Sequence, residues 1–188
     1  MNRSFGVAIG LPEPIHSELQ AWRERFGDPN ASDVPPHVTL LPPTALSDEA
    51  LPTVEEHLRQ VAASEQPFEV HLRGTSTFRP VSPVVFLPLV VGISGCEQVE
   101  AKVRSGPLAR ELHFPYHPHV TVAHDVGDEL LDRAFDQLAS YDVAFQVWGF
   151  TLFEQGRDRV WRPQRDFPFG RAGLLGPPEP GDAPTLSG

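Results

Sequence analysis

Apolar residues recur along this chain in short runs and stripes whose period switches between two and about 3.6, the mark of strands interleaved with helices. SFGVAIG at 4–10 is a short apolar run ending at Leu11-Pro12, which predicts a buried strand. Over 13–26, Ile15, Leu19, Trp22 and Phe26 fall at three- and four-residue spacing with Gly27 just beyond them, predicting a helix and its stop. HVTLL at 37–41 lies between prolines and is rich in β-branched residues, so a strand is expected there. Leu51, Val54, Leu58 and Val61 continue a helical face that starts near Ser47 and runs to about 63.

FEVHLRGTSTF at 68–78 alternates as a strand does, whereas VVFLPLVVG at 84–92 is apolar throughout. Its Pro88 predicts an edge strand, a bulge, or a strand flanked by one. Ser94 and Glu97 have the spacing of a capping box for a helix over 95–112, interrupted at Gly106-Pro107. HVTVAH at 119–124 predicts a strand, 128–140 a helix, 142–154 one long strand, and RVWRP at 159–163 its hairpin partner. The order is nearly one α/β unit used twice. Residues 171–188 contain several Gly and Pro and no long apolar run, so they are expected to be a flexible tail after a single two-lobed domain over 1–170.

Composition narrows the partners. With 188 residues, 40% of them hydrophobic, the chain can bury a real core. Fifteen Lys and Arg against twenty-five Asp and Glu give a net charge of −10, which argues against a broad footprint on duplex DNA. A small anion or an RNA terminus remains compatible with that charge. Cys96 is the single cysteine, which excludes an internal disulfide and a thiolate cluster. No run approaches the roughly 18 apolar residues of a membrane span, and the first residues lack the core of a signal peptide. A cytoplasmic monomer without a membrane partner is expected.

The chemistry lies in a repeated tripeptide. PPHVTLL at 35–41 and HPHVTVA at 117–123 each place His-Val-Thr after a proline-containing loop. In an extended chain His37 shares a side with Thr39, and His119 with Thr121, while each valine faces the other way. Two imidazoles on one cleft suit phosphodiester cleavage: one takes a proton from the attacking oxygen and the other gives one to the leaving oxygen. Two threonine hydroxyls can bind the non-bridging oxygens. No metal or other cofactor is required. Two other readings stay open at this point: hydrogen-bonded structural histidines at sheet ends, or a metal site, for which neither tripeptide has the usual ligand spacing.

The paired His-x-Thr tripeptides, the opening R-x-F-x-V-A-I-x-L-P at 3–12 and the duplicated α/β order resemble the 2H phosphoesterase superfamily, specifically its RNA 2',3'-cyclic phosphodiesterase or 2'-5' RNA ligase branch. The likeness covers about residues 3–163. It implies an α+β, bilobal duplicated fold, with two antiparallel-rich sheets flanked by helices around a central cleft. It also implies that His37, Thr39, His119 and Thr121 form the catalytic set, with His119 the base that activates water and His37 the acid that protonates the departing 3' oxygen. The implied reaction is hydrolysis of RNA or nucleotide 2',3'-cyclic phosphates to 2'-phosphates, with reversible 2'-5' ligation as a side activity. A non-RNA substrate such as ADP-ribose cyclic phosphate, or a non-catalytic RNA-end binding module, are the alternatives.

One departure stands out. Many relatives continue the second motif with an arginine, where this chain has His124. A permanent cation is thereby replaced by a switchable one. Arg79, Phe78, Phe5 and Arg162 are candidate substrate-binding residues: the arginines for phosphate, the phenylalanines for a base or the cleft wall. His117 stands where it could support His119, and His16, His57 and His71 lie in ordinary amphipathic surroundings.

Overall fold

In β1 (Asn2–Gly10), Phe5, Val7 and Ile9 point into the core, while Gly6, Ala8 and Gly10 occupy the opposite face. The computed structural model describes residues 2–170, so the segment 171–188 expected to be a tail lies outside the described residues. Helix α1 (Ile15–Arg25) follows β1 and buries Ile15 and Leu19. β2 (His37–Ser47) pairs antiparallel with β1 and runs six residues further than its hydrophobic pattern suggested. The ladder shifts register between the Phe5–Thr44 and Val7–Leu41 pairs, and Pro42-Pro43 sits in that irregularity, where their missing N–H groups break no ladder bond.

Helix α2 (Leu51–Ser64) buries Val54, Leu58, Val61 and Ala62. The expected strand over 68–78 is divided into β3 (Phe68–Arg73) and β4 (Ser76–Thr77), because Gly74 takes a φ of 67° between them. β5 (Val84–Val91) is an interior strand despite Pro88, and its pairings with both neighbours shift register, so of the alternatives it is the bulged one. Helix α3 (Ile93–Val103) is shorter than the expected 95–112. Its N-cap is Gly92 at φ 90°, a conformation open to glycine, and no side chain caps it, so Ser94 lies within the first turn. The chain then leaves the helix and makes only a short 3-10 turn at Gly106–Leu108.

β6 (His119–His124) and α4 (Asp128–Gln137) follow. The single long strand expected over 142–154 is two, β7 (Asp142–Val147) and β8 (Gly149–Gln155), separated by the exposed Trp148. β7 pairs with β3 and β8 with β1, so the chain crosses here from one half of the molecule to the other. A Cβ on Gly149 would lie 2.4 Å from the Phe167 carbonyl oxygen, so the crossing brings backbone too close for any side chain. β9 (Trp161–Pro168) returns as the expected hairpin partner of β8.

The strands run in the order β7-β3-β5-β6-β2-β1-β8-β9, with β4 on β5, and every pair is antiparallel. Two groups of strands, one from each half, meet at a single pair of residues, Val38 of β2 and Val120 of β6. Helices α1 and α4 pack on the β6 side, and α2 and α3 on the side of β2 and β9. Helix α1, which links β1 to β2, therefore covers the opposite half, and α3 does the same in return. One hydrophobic cluster contains residues of both halves, among them Val7, Val38, Leu87 and Val120. This α+β architecture leaves the face opposite the helices as a shared trough along the β2–β6 seam.

Candidate active site

The Val38–Val120 pair fixes the site. Both valines are fully buried on the core side, so the residues before and after them point into the trough. Antiparallel register then sets His37 across from Thr121 and Thr39 across from His119, each imidazole beside the hydroxyl of the other half. The hydrophobic valine in the middle of each tripeptide is thus what turns the two chemical groups outward.

Each imidazole is held by the same bond. Nδ1 of His37 lies 2.7 Å from the Pro35 carbonyl oxygen, and Nδ1 of His119 lies 2.7 Å from that of His117. A carbonyl only accepts, so Nδ1 of each ring donates and the lone pair of the neutral ring is on Nε2. The Thr39 hydroxyl donates to Nε2 of His37 at 3.0 Å. Among the described residues Nε2 of His119 makes no protein hydrogen bond. Tyr116 donates its hydroxyl to the Thr39 carbonyl at 2.8 Å, tying the loop before β6 to β2.

Aromatic rings flank both histidines. Trp161 stacks on His37 with ring centres 5.1 Å apart, and its backbone N–H donates to the Asp33 carbonyl at 2.7 Å. A Cβ on Gly6 would come within 2.7 Å of the Trp161 ring, so the glycine makes room for it. Phe78 and Phe86 each lie 5.0 Å from His119 and stack on one another at 4.3 Å. Burial holds the His37 imidazolium down, to a pKa of about 4, and Arg23 and His119 depress it further against the opposing Pro35 bond. Burial also lowers His119, with the bond to the His117 carbonyl opposing and the neighbouring His117 adding to the fall.

Of the four further binding candidates, the structure brings only Phe78 to the histidines. Arg79 turns toward α4, where it donates to Asp132 at 2.7 Å and lies 3.7 Å from Asp128. Phe5 faces the core, 1% exposed, on the opposite side of β1 from the trough. Arg162 is bound to Asp158 at 2.6 Å and 3.0 Å in the exposed β8–β9 hairpin. His117 contributes its carbonyl to His119, and His124 borders a cavity with His37 and Thr121. His57 bonds to carbonyl oxygens at the end of α3, and His71 to Asp142, so both have local roles. Trp161, Tyr116 and Arg23 were not singled out from the sequence. The small residues at 6, 8 and 10, all on one face of a strand, are the signal that something large crosses β1 there.

Among the described residues no group of three or more His, Cys, Asp or Glu side chains could hold a metal ion, and no helix is long and apolar enough to cross a membrane.

Comparison with known proteins places this arrangement. Residues 11–159 match the model of the 2'-5' RNA ligase superfamily. "Putative phosphoesterase OB1230" of Oceanobacillus iheyensis is 29% identical over 171 residues, covering 89% of this chain and 98% of that protein. "Putative phosphoesterase BH1439" of Halalkalibacterium halodurans is 30% identical, over 69% of this chain and 75% of its own length. The crystal structure of E. coli LigT complexed with 3'-AMP superposes with a TM-score of 0.67 at 22% identity, over 90% of this chain and 99% of that one. TT0787 of Thermus thermophilus superposes at 0.66 and 23% identity, over 89% and 99%. These structures share the fold, and the family match spans both His-x-Thr tripeptides: the chain belongs to the 2'-5' RNA ligase superfamily, the 2H phosphoesterases.

Proposed function

We propose that this protein hydrolyses 2',3'-cyclic phosphates of nucleotides or RNA ends to 2'-phosphates, using His37 and His119 as paired acid and base without a metal. The observation that carries the reading is the Val38–Val120 pair, which sets two imidazoles and two hydroxyls on one face across adjoining strands. Water attacks phosphorus as His119 Nε2 takes its proton; the P–O3' bond breaks and His37 Nε2–H supplies the proton to O3'. The Nδ1 bonds to Pro35 and His117 keep both rings oriented with Nε2 toward the trough through the exchange. Thr39 and Thr121 donate to the non-bridging oxygens as charge is redistributed. The same step with a 5' hydroxyl attacking in place of water, the P–O5' bond forming as P–O3' breaks, is the route to 2'-5' ligation, and its reversal, with the 5' hydroxyl leaving as the cyclic phosphate closes, cleaves that linkage. LigT has been crystallised with 3'-AMP, ATP and NADP+, which supports a nucleotide as the ligand of this shared fold.

The test is turnover of 2',3'-cyclic mononucleotides, cyclic-ended oligonucleotides and ADP-ribose cyclic phosphate in EDTA, with the product isomer identified. Release of 2'-phosphate is expected from the nucleotide substrates. Binding without turnover points to the non-catalytic module, and turnover of ADP-ribose cyclic phosphate alone to the non-RNA enzyme.

The pH dependence follows from the lowered imidazoles. The free enzyme reacts in the form that holds one proton on the pair. With both imidazoles charged no base remains, and with both neutral no acid remains; burial lowers both, His37 to about 4. The expected kcat/KM profile is a bell with its maximum on the acid side of an ordinary histidine, below about pH 6.5. A bound phosphate anion favours the protonated pair, so the kcat profile lies at higher pH than kcat/KM. Rates between pH 4 and 9 check both statements, and a kcat/KM maximum near pH 8 contradicts the first.

A further inference from the structure

One buried side chain ties the end of α1 to the loop before β2. Arg23 is 4% exposed, its Nε donates to Asp28 at 2.9 Å, and its Nη1 donates to the Val34 carbonyl. Asp28, also buried, takes the Asn30 N–H on its other oxygen at 2.9 Å. Among the described residues Arg23 Nη2 makes no protein hydrogen bond. With Asp28, the side chain lines a cavity of about 240 Å³ that also touches Asn30, His37, Thr121 and His124.

This cavity has the chemistry of an anion receiver. Among the described residues Arg23 is the only Lys or Arg on its wall, and its charge is permanent, whereas burial holds the His37 imidazolium down. Asp28 balances that charge in the free protein, but both its oxygens are engaged by loop and helix donors. The guanidinium is already fixed by two partners, so little side-chain freedom is lost when an anion meets Nη2. The Thr121 hydroxyl and His124 ring border the same space. Neither Thr39 nor His119 touches it, so it lies on the His37 and Thr121 side of the seam, away from His119.

We propose that this cavity binds a second, non-reacting phosphate of the substrate, with Arg23 as its fixed counter-charge. The inference rests on the cyclic phosphodiesterase reading. In a nucleoside 2',3'-cyclic phosphate the free position for a second phosphate is the 5' oxygen, so the preferred substrate is a cyclic nucleotide phosphorylated there. That phosphate is a monoester in a free nucleotide and a diester at the end of an RNA.

The experiment compares kcat/KM for adenosine 2',3'-cyclic phosphate, its 5'-phosphorylated form and a dinucleotide ending in the same cyclic phosphate, with wild-type protein and Arg23→Met. Wild type is expected to favour a 5'-phosphorylated substrate by about 10- to 100-fold, the worth of charge-assisted hydrogen bonds, and Arg23→Met to lose that preference. A preference for the dinucleotide identifies RNA ends as the source, and a preference for the monoester alone identifies free nucleotides. A wild-type ratio near one overturns the proposal whether or not the variant folds. Equal losses on all three substrates in Arg23→Met also overturn it, leaving Arg23 a positioning residue for the loop. Absence of turnover on all three overturns the phosphodiesterase reading itself.

Discussion

Replacing His37 or His119 by alanine is expected to lower kcat for 2',3'-cyclic phosphate hydrolysis by about 10²–10⁴-fold in each case, the usual worth of a positioned general acid or base. Each imidazole is a proton-carrying group set at its own point on the trough. Its Nδ1 is committed to a backbone carbonyl, which leaves one nitrogen for chemistry. Folding should survive both changes. The residues that hold β2 against β6 are Val38 and Val120, which stay buried, and truncation of His37 loses a stacked contact with Trp161 worth about 1 kcal/mol. Single-turnover rates measured beside a thermal melt separate the two effects. Near-native turnover in either variant contradicts the paired mechanism.

The second large effect is expected at the hydroxyls. Thr39→Val with Thr121→Val keeps β-branched shape while removing both donors, and kcat should fall by about 10²–10³-fold with little change in KM, as when a donor to a developing oxyanion is lost. Thr39 adds a second consequence, because its hydroxyl donates to Nε2 of His37 in the free protein. Without that bond the imidazolium is easier to form, so Thr39→Val alone should move the acid limb of the kcat/KM profile to higher pH. Steady-state kinetics over pH checks both, and a variant pair that raises KM with kcat preserved would show the hydroxyls acting in ground-state binding alone.

Most of the strand and helix order was readable from periodicity because most elements bury one face. The repeated His-Val-Thr was readable because a period of two separates its chemical residues from its core residue. What failed to show was set by contacts distant in sequence. Nothing local at 142–154 says that Trp148 and Gly149 carry the chain from β3's partner to β1's partner. The positions of Arg79 and Arg162 are decided by carboxylates on α4 and in the β8–β9 turn, which claim both guanidinium groups. Phe5 is a core residue because it shares parity with Val7 and Ile9, a fact present in the strand alternation. Trp161 reaches His37 only because β9 pairs with β8 and Gly6 opens space beneath it. The Arg23–Asp28 pair joins a helix to a loop and has no motif of its own.

The most direct measurement is a crystal structure of the protein bound to a nucleoside vanadate, a mimic of the five-coordinate phosphorus. Nε2 of His37 and Nε2 of His119 should each lie within about 2.6–3.2 Å of oxygens on the same vanadium, on opposite sides of it. A vanadate held by one imidazole, with the other turned to a separate surface, would contradict the shared site.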